Sequence, residues 1–182
     1  RGIRDAVIAH PPDTPQAGHH YVAGIDWGRE NDYTVIAIID ANTRQMVAMD
    51  RFNQIGWSLQ RGRLRTMVER WQPDVVWAEA NSIGSPNIDA LIQDGLPVRS
   101  FMTTARSKAP LIESLALAIE RAEIGLLDDP VLLGELASYS MERLQGGGYR
   151  YGAPAGSHDD TVIATALAWY GVENSGLTVS FA

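Results

Sequence analysis

No cysteine occurs anywhere in the 182 residues. Disulfide bonds and thiolate metal sites are thereby excluded, so a bound metal would have to be held by oxygen or histidine, which favours hard ions such as Mg²⁺ or Mn²⁺. Lysine is almost missing too: Lys108 is the only one, and arginine supplies the remaining positive side chains. Long apolar runs are also lacking. None approaches the roughly 18 residues of a membrane span, and no signal-peptide pattern opens the chain, so a soluble, intracellular protein is expected. A formal charge of −7 argues against a generally basic nucleic-acid coat while leaving room for a local basic track. With 45% apolar residues, the chain can build one core of ordinary size.

Pro11-Pro12-Asp13-Thr14-Pro15-Gln16-Ala17-Gly18 reads as a linker or extended arm, here taken as residues 1–20. Three short apolar segments follow, Tyr21 to Trp27, Tyr33 to Ile39 and Met46 to Phe52, separated by turn-rich stretches and read as consecutive antiparallel strands. From Trp57 to Trp71, Leu64, Met67, Val68 and Trp71 recur at helical spacing, and Pro73 closes that helix before the buried strand Val75-Val76-Trp77. Ser85-Pro86 resembles a helix start, with the helix stopped at Gly95; Pro97 to Met102 is the next strand. A helix is expected from about Lys108 to Glu123, capped by Ser107, with Pro110 in its first turn and Leu111, Leu115, Ala118 and Ala122 on its inner face. Asp129-Pro130 starts another. Tyr139 to Leu144 and Tyr149 to Tyr151 form a hairpin across three glycines, and a last helix runs from about Asp159 to Tyr170. No internal repeat is visible. Strands followed by alternating helices and strands imply an α/β mixed sheet covered by helices on both faces.

Against this outline, acids stand at three stations. Asp26 ends the first strand, Glu79 ends the fourth, and Asp159-Asp160 opens the last helix. If the first and fourth strands are neighbours, all converge on one electronegative spot that calls for divalent metal. Each station also has a plainer reading. Asp26 could accept hydrogen bonds from its own turn, and Glu79 could pair with an arginine. Ser157, three residues before Asp160, fits a capping box, and acids are favoured in any first helical turn. Helical phase does not separate Asp159 from Asp160. Glu79 follows a run too apolar for a solvated face, so its carboxylate needs a partner.

Gly24-Ile25-Asp26-Trp27-Gly28 with Asp32-Tyr33-Thr34, Ala78-Glu79, and Ser157-His158-Asp159-Asp160 followed by alanines together resemble the nuclease domain of phage large terminase subunits. That family lies within the ribonuclease H-like superfamily, which includes RuvC-type resolvases. The resemblance covers most of the chain after the arm. It implies a ribonuclease H-like mixed sheet of about five main strands flanked by helices, with an added β-hairpin, over residues 21–182. It also implies a metal-dependent endonuclease of the host cytoplasm that cuts concatemeric viral DNA during packaging and works with a small terminase subunit and portal. No Gly-x-x-x-x-Gly-Lys-Ser/Thr loop appears, so the ATPase motor of such proteins would lie upstream.

Phosphodiester hydrolysis needs an activated water, charge stabilisation and help for the leaving oxygen, which two ions about 3.5–4 Å apart supply. Asp26, Glu79, Asp159 and Asp160 are the expected catalytic ligands of two Mg²⁺ or Mn²⁺ ions, with a lean towards Asp160 over Asp159. Asp32 could reach a metal directly or through water, and His158 could carry a proton, although a turn residue and an exposed helix start are the plainer readings. Double-stranded DNA is expected to meet Arg99, Arg106 and Lys108 near a strand end and helix start, and Arg143 and Arg150 beside the glycine-rich hairpin. The first hairpin also resembles the phosphate-binding hairpin of sugar kinases and actin, but the chain is too short for their two domains. A Holliday-junction resolvase-like nuclease and a catalytically silent DNA-binding or assembly module of the same fold are the remaining alternatives.

Overall fold

The computed structural model describes residues 2–28, 32–80, 85–143, 149–152 and 158–175. Its strands and helices are β1 (Tyr21–Asp26), β2 (Thr34–Asp40), β3 (Gln45–Phe52), α1 (Trp57–Trp71), β4 (Val75–Glu79), α2 (Ser85–Gln93), β5 (Val98–Phe101), α3 (Ala105–Glu120), α4 (Pro130–Ser138), β6 (Ser140–Arg143), β7 (Tyr149–Gly152) and α5 (Asp160–Asn174). The main sheet has the order β3-β2-β1-β4-β5, and β6 and β7 form a separate hairpin. β1 runs antiparallel to β2 and parallel to β4; β4 runs parallel to β5. The mixed sheet and added hairpin anticipated from the pattern are therefore present.

Alternation along β1 divides the core. Val22 faces a layer built with α3, α4 and α5, whereas Tyr21, Ala23 and Ile25 face Leu64 and Trp71 of α1 and Leu91 of α2. Residues 2–20 lie along the domain: a 3-10 turn at Ile3–Ala6 leads to a bridge between Val7 and Leu126, and the Arg70 guanidinium donates to the carbonyl of Asp13.

α5 is apolar on every side, as a central helix must be, and its approach to β1 is governed by small residues. A Cβ on Gly24 would stand 2.1 Å from the Ala164 carbonyl oxygen and 2.4 Å from the Ala168 nitrogen; one on Gly171 would meet Val22 at 2.3 Å. Helix and strand backbones thus touch directly. Two residues beyond Gly24 on the strand is Asp26, and one turn before Ala164 on the helix is Asp160, so the contact that closes the core also brings these acids together.

Two boundaries differ from expectation. α3 starts at Ala105, not Lys108, because Thr104 and Ser107 form a reciprocal capping box: the Ser107 N–H donates to Thr104 Oγ1 at 3.2 Å and the Thr104 N–H to Ser107 Oγ at 2.8 Å. Ser107 is a partner in the cap, and Pro110 falls inside the helix, leaving the Arg106 carbonyl without the usual N–H donor from four residues on. The same helix ends at Glu120, because Ala122 adopts φ 56° and Glu123 N–H donates back to Ala118 O. No glycine marks that left-handed position in the sequence. Ala122 is exposed, and Ile119 joins Leu111, Leu115 and Ala118 on the buried face. At α5, Asp159 rather than Ser157 occupies the N-cap position. Ser157, the three glycines 146–148 and Leu144 lie outside the described residues.

Candidate metal centre

Parallel pairing matches Ile25 with Ala78, so the next residues, Asp26 and Glu79, emerge level at the same end of adjacent strands. They line one cleft of ≈ 280 Å³ with Trp27, Asp32, Thr103, Lys108, Asp159, Asp160 and Ile163. The three expected stations do converge, and Asp32 joins them. A brace fixes the turn between β1 and β2: Gly28 N–H donates to Thr34 Oγ1 at 2.9 Å, and the Thr34 hydroxyl donates to Gln60 Oε1 at 2.9 Å.

Asp26 is only 7% exposed. Burial foremost, then a hydrogen bond to the Glu79 carboxyl and the negative charges of Glu79, Asp160 and Asp159, push its pKa well above the ordinary carboxylate range. Asp160 is pushed up to about 6, chiefly by burial; a hydrogen bond donated by Tyr33 N–H at 3.3 Å pulls the other way, while Glu135 and Asp159 add to the rise. Asp159 pairs with Lys108, Nζ to Oδ2 3.0 Å. His158 Nδ1 stands 3.7 Å from both Asp32 Oδ1 and Asp160 Oδ2, at the rim between them.

Among the described residues, no group of three acid or histidine side chains is arranged, as it stands, to hold an ion. The donors nevertheless fit a hard divalent cation: they are carboxylate oxygens, crowded where burial and mutual repulsion penalise their charge. A hydrogen bond shared by Asp26 and Glu79, and the Lys108 ammonium on Asp159, offset part of that penalty. Opening those two contacts would free oxygens on both walls of the cleft.

Of the expected DNA contacts whose side chains are described, Lys108 alone lines the cleft. Arg99 sits on β5 opposite Trp77, its guanidinium 5.9 Å from the indole ring centroid, and Arg106 is exposed in the first turn of α3. Arg143 and Arg150 lie in β6 and β7, where only the backbone is described.

Several neighbours of the site escape the sequence pattern. Tyr139, read as the start of a strand, instead follows α4. Its hydroxyl is buried without a hydrogen-bond partner among the described residues, and burial together with Asp159 and Asp26 raises its pKa. Tyr33 packs edge-on to His158 with centroids 5.7 Å apart, and the Arg51 guanidinium lies 3.3 Å from the Tyr33 ring centroid. Glu135 had a legible signal: it is an acid within Val131-Leu132-Leu133-Gly134-Glu135-Leu136, the same kind of apolar setting that singled out Glu79.

A mixed sheet in this order, with acids at the ends of its two central strands and at the start of the helix packed across them, defines the ribonuclease H-like class. No protein-family model matches the chain. The large terminase subunit of Thermus virus P23-45 is 32% identical over 174 residues, covering 93% of this chain and 34% of the relative. The crystal structure of the large terminase nuclease from thermophilic phage G20c with bound magnesium superposes with a TM-score of 0.83 at 26% identity, covering 92% of this chain and 94% of that one; the G20c nuclease is also known with bound cobalt and bound zinc. The nuclease domain of Thermus phage P74-26 gives 0.81 at 27% identity, with 94% of each chain covered. By sequence and by fold, the chain is a relative of the nuclease domains of phage large terminase subunits. It spans about a third of the length of the curated relatives it matches.

Proposed function

We propose that the chain is a divalent-metal-dependent endodeoxyribonuclease domain that cuts viral DNA during genome packaging by a two-metal mechanism. One observation carries this reading: Asp26 is buried among Glu79, Asp159 and Asp160, an arrangement that raises its pKa and is relieved by a cation. Asp26, central in the cleft, would hold the ions together with Glu79 and with Asp160 or Asp159. When bound, the ions lower the pKa of water and stabilise negative charge on the phosphate and leaving oxygen. Asp26 and Glu79 come from rigid strands and set the geometry. Lys108, once released from Asp159, would place a cation against phosphate, and His158, between Asp32 and Asp160, would move a proton at the rim. Arg99, Arg106, Arg143 and Arg150 would contact the duplex backbone, giving cleavage with little sequence preference. Such a domain would act in the host cytoplasm beside an upstream ATPase motor, small subunit and portal. No helix among the described residues is long and apolar enough to cross a membrane.

The test is cleavage of supercoiled plasmid with Mn²⁺, Mg²⁺ or EDTA, beside Asp26→Asn and Glu79→Gln proteins whose circular dichroism matches the parent. Nicking and linearisation that require metal and vanish in both variants are expected. Cutting that persists in EDTA or in Asp26→Asn would overturn the proposal.

A further inference from the structure

α5 begins without a side-chain cap of its own. Asp159 occupies the N-cap position but makes no hydrogen bond to the first turn; its Oδ2 faces Lys108 Nζ instead. Asp160, the first helical residue, accepts from the Tyr33 N–H across the cleft. A helix start nevertheless leaves N–H groups needing acceptors, and a buried one is costly to leave unmet. Here the acceptor comes from another helix. Glu135 of α4 is buried, and its Oε2 accepts from the Thr161 N–H at 2.9 Å and from the Thr161 hydroxyl at 2.5 Å. α4 is itself held in place by Asp129, which accepts from the Val131 and Leu132 N–H groups at 2.9 Å each.

The Thr161 N–H is one of the two donors that an N-cap side chain ordinarily takes. Were Asp159 to serve it, its carboxylate would turn back over the helix and away from the cleft. A carboxylate brought in from α4 satisfies the same donor and sits favourably at the positive end of the helix dipole.

We propose that Glu135 is a positioning residue of the acid cluster: by capping α5 from α4, it releases Asp159 and Asp160 from capping and holds both towards Asp26 and Glu79, where a divalent cation binds. The inference rests on the metal-centre reading above. Glu135 itself does not line the cleft. Its charge lies near Asp160 and, after burial, adds to the rise in that carboxyl's pKa. The cap therefore brings a further buried carboxyl close to the cluster, and its role in the proposal is that of an acceptor rather than of a charge.

The experiment uses the 182-residue chain, its Glu135→Gln and Glu135→Ala variants, and two readouts. Mn²⁺ binding is measured by calorimetry at a temperature where all three proteins are folded, and amide exchange over residues 160–163 is followed in EDTA. Gln keeps an acceptor for the Thr161 N–H and is expected to bind Mn²⁺ within about threefold of the parent, with protection retained. Ala is expected to lose tenfold or more in affinity and to exchange faster at the start of α5 without metal. An Ala variant that melts earlier but binds Mn²⁺ as the parent does would reduce Glu135 to a packing role and overturn the proposal. A Gln variant that loses binding as completely as Ala would overturn it too, since charge rather than capping would then matter. A parent that binds no Mn²⁺ would instead overturn the metal-centre reading, and this inference with it.

Discussion

Asp40 and Asp26 are both buried, both close a strand of the same antiparallel pair, and lie at opposite ends of the sheet. Their surroundings are opposite as well. Asp40 is supplied with donors: Asn42 N–H at 2.9 Å, Thr43 N–H at 3.2 Å and His19 Nδ1 at 2.6 Å. Asp26 is surrounded by other acids and shares a hydrogen bond with one of them. A buried carboxylate that serves the fold is given partners by the fold, because the penalty of burying an unpaired charge is several kcal/mol. One left among like charges stores that penalty until something from outside relieves it. This contrast, more than the count of acids, separates the end of the sheet proposed to hold metal from the end that anchors residues 2–20.

The sharpest way to break the comparison is to neutralise each aspartate. Asp26→Asn is expected to reduce metal-dependent plasmid cleavage to background while raising stability in EDTA at pH 7.5 by about 1–2 kcal/mol, or roughly 3–6 °C for a domain of this size. Asp40→Asn is expected to leave cleavage intact at a permissive temperature and to lower stability by about 2–3 kcal/mol, since the amide cannot serve both the backbone donors and His19 equally. Thermal melts and a cleavage assay on the two proteins decide it. If both substitutions destabilised alike, the donor-rich and donor-poor ends would not differ in the way proposed.

A smaller effect sharpens the same contrast through pH. Asp160 has a folded pKa of about 6, raised by burial from 3.8. The folded state therefore holds this proton more tightly than the unfolded chain does. The resulting stabilisation is full below about pH 4 and is lost as pH rises through about 6. In EDTA the melting temperature should accordingly fall between pH 4 and pH 6 more in the parent than in Asp160→Asn, which carries no titrating group there. With Mn²⁺ present the difference should shrink above pH 6, because the ion replaces the proton as the relief of charge. Equal pH profiles for parent and variant in EDTA would show that Asp160 is not under the strain assigned to it.

Periodicity is enough to read β1 to β5 and α1, because each is a short apolar run or a clean helical repeat bounded by Gly, Pro or Asx turns, whereas the hairpin is read from the three glycines between its arms. The limits of α3 were not legible. Its start depends on a reciprocal Thr104–Ser107 cap around which Pro110 offered a false boundary, and its end depends on an alanine, not a glycine, at positive φ. The acid cluster was legible for a different reason: Asp26 and Glu79 end buried strands, and Asp159-Asp160 opens a mostly apolar helix. Distances along the chain could not show that Lys108 would reach Asp159, 51 residues away, or that Glu135 would cap a helix 26 residues on. Residue type and the apolar run before each do not by themselves separate the surroundings of Asp40 from those of Asp26. Only the partners do that, and partners are a property of the fold.

The smallest effect lies wholly within the anchoring end. His19 and His20 each present Nδ1 to a carboxylate, at 2.6 Å from Asp40 and 2.8 Å from Asp74, so bond length alone predicts similar contributions. Burial predicts otherwise: the Asp40 side chain is 1% exposed and that of Asp74 is 58% exposed. Water already has access to Asp74 beside His20, whereas Asp40 is enclosed with His19 in place. His19→Ala is therefore expected to cost about 1–2 kcal/mol in urea denaturation, and His20→Ala about 0.5 kcal/mol or less, fading further in high salt. Both should leave the EDTA-minus-Mn²⁺ stability difference unchanged, because neither residue touches the acid cluster. Equal costs would mean that hydrogen-bond geometry rather than access of water sets what a carboxylate partner contributes, and the same conclusion would then undercut the account of Asp26, which depends on exclusion of water.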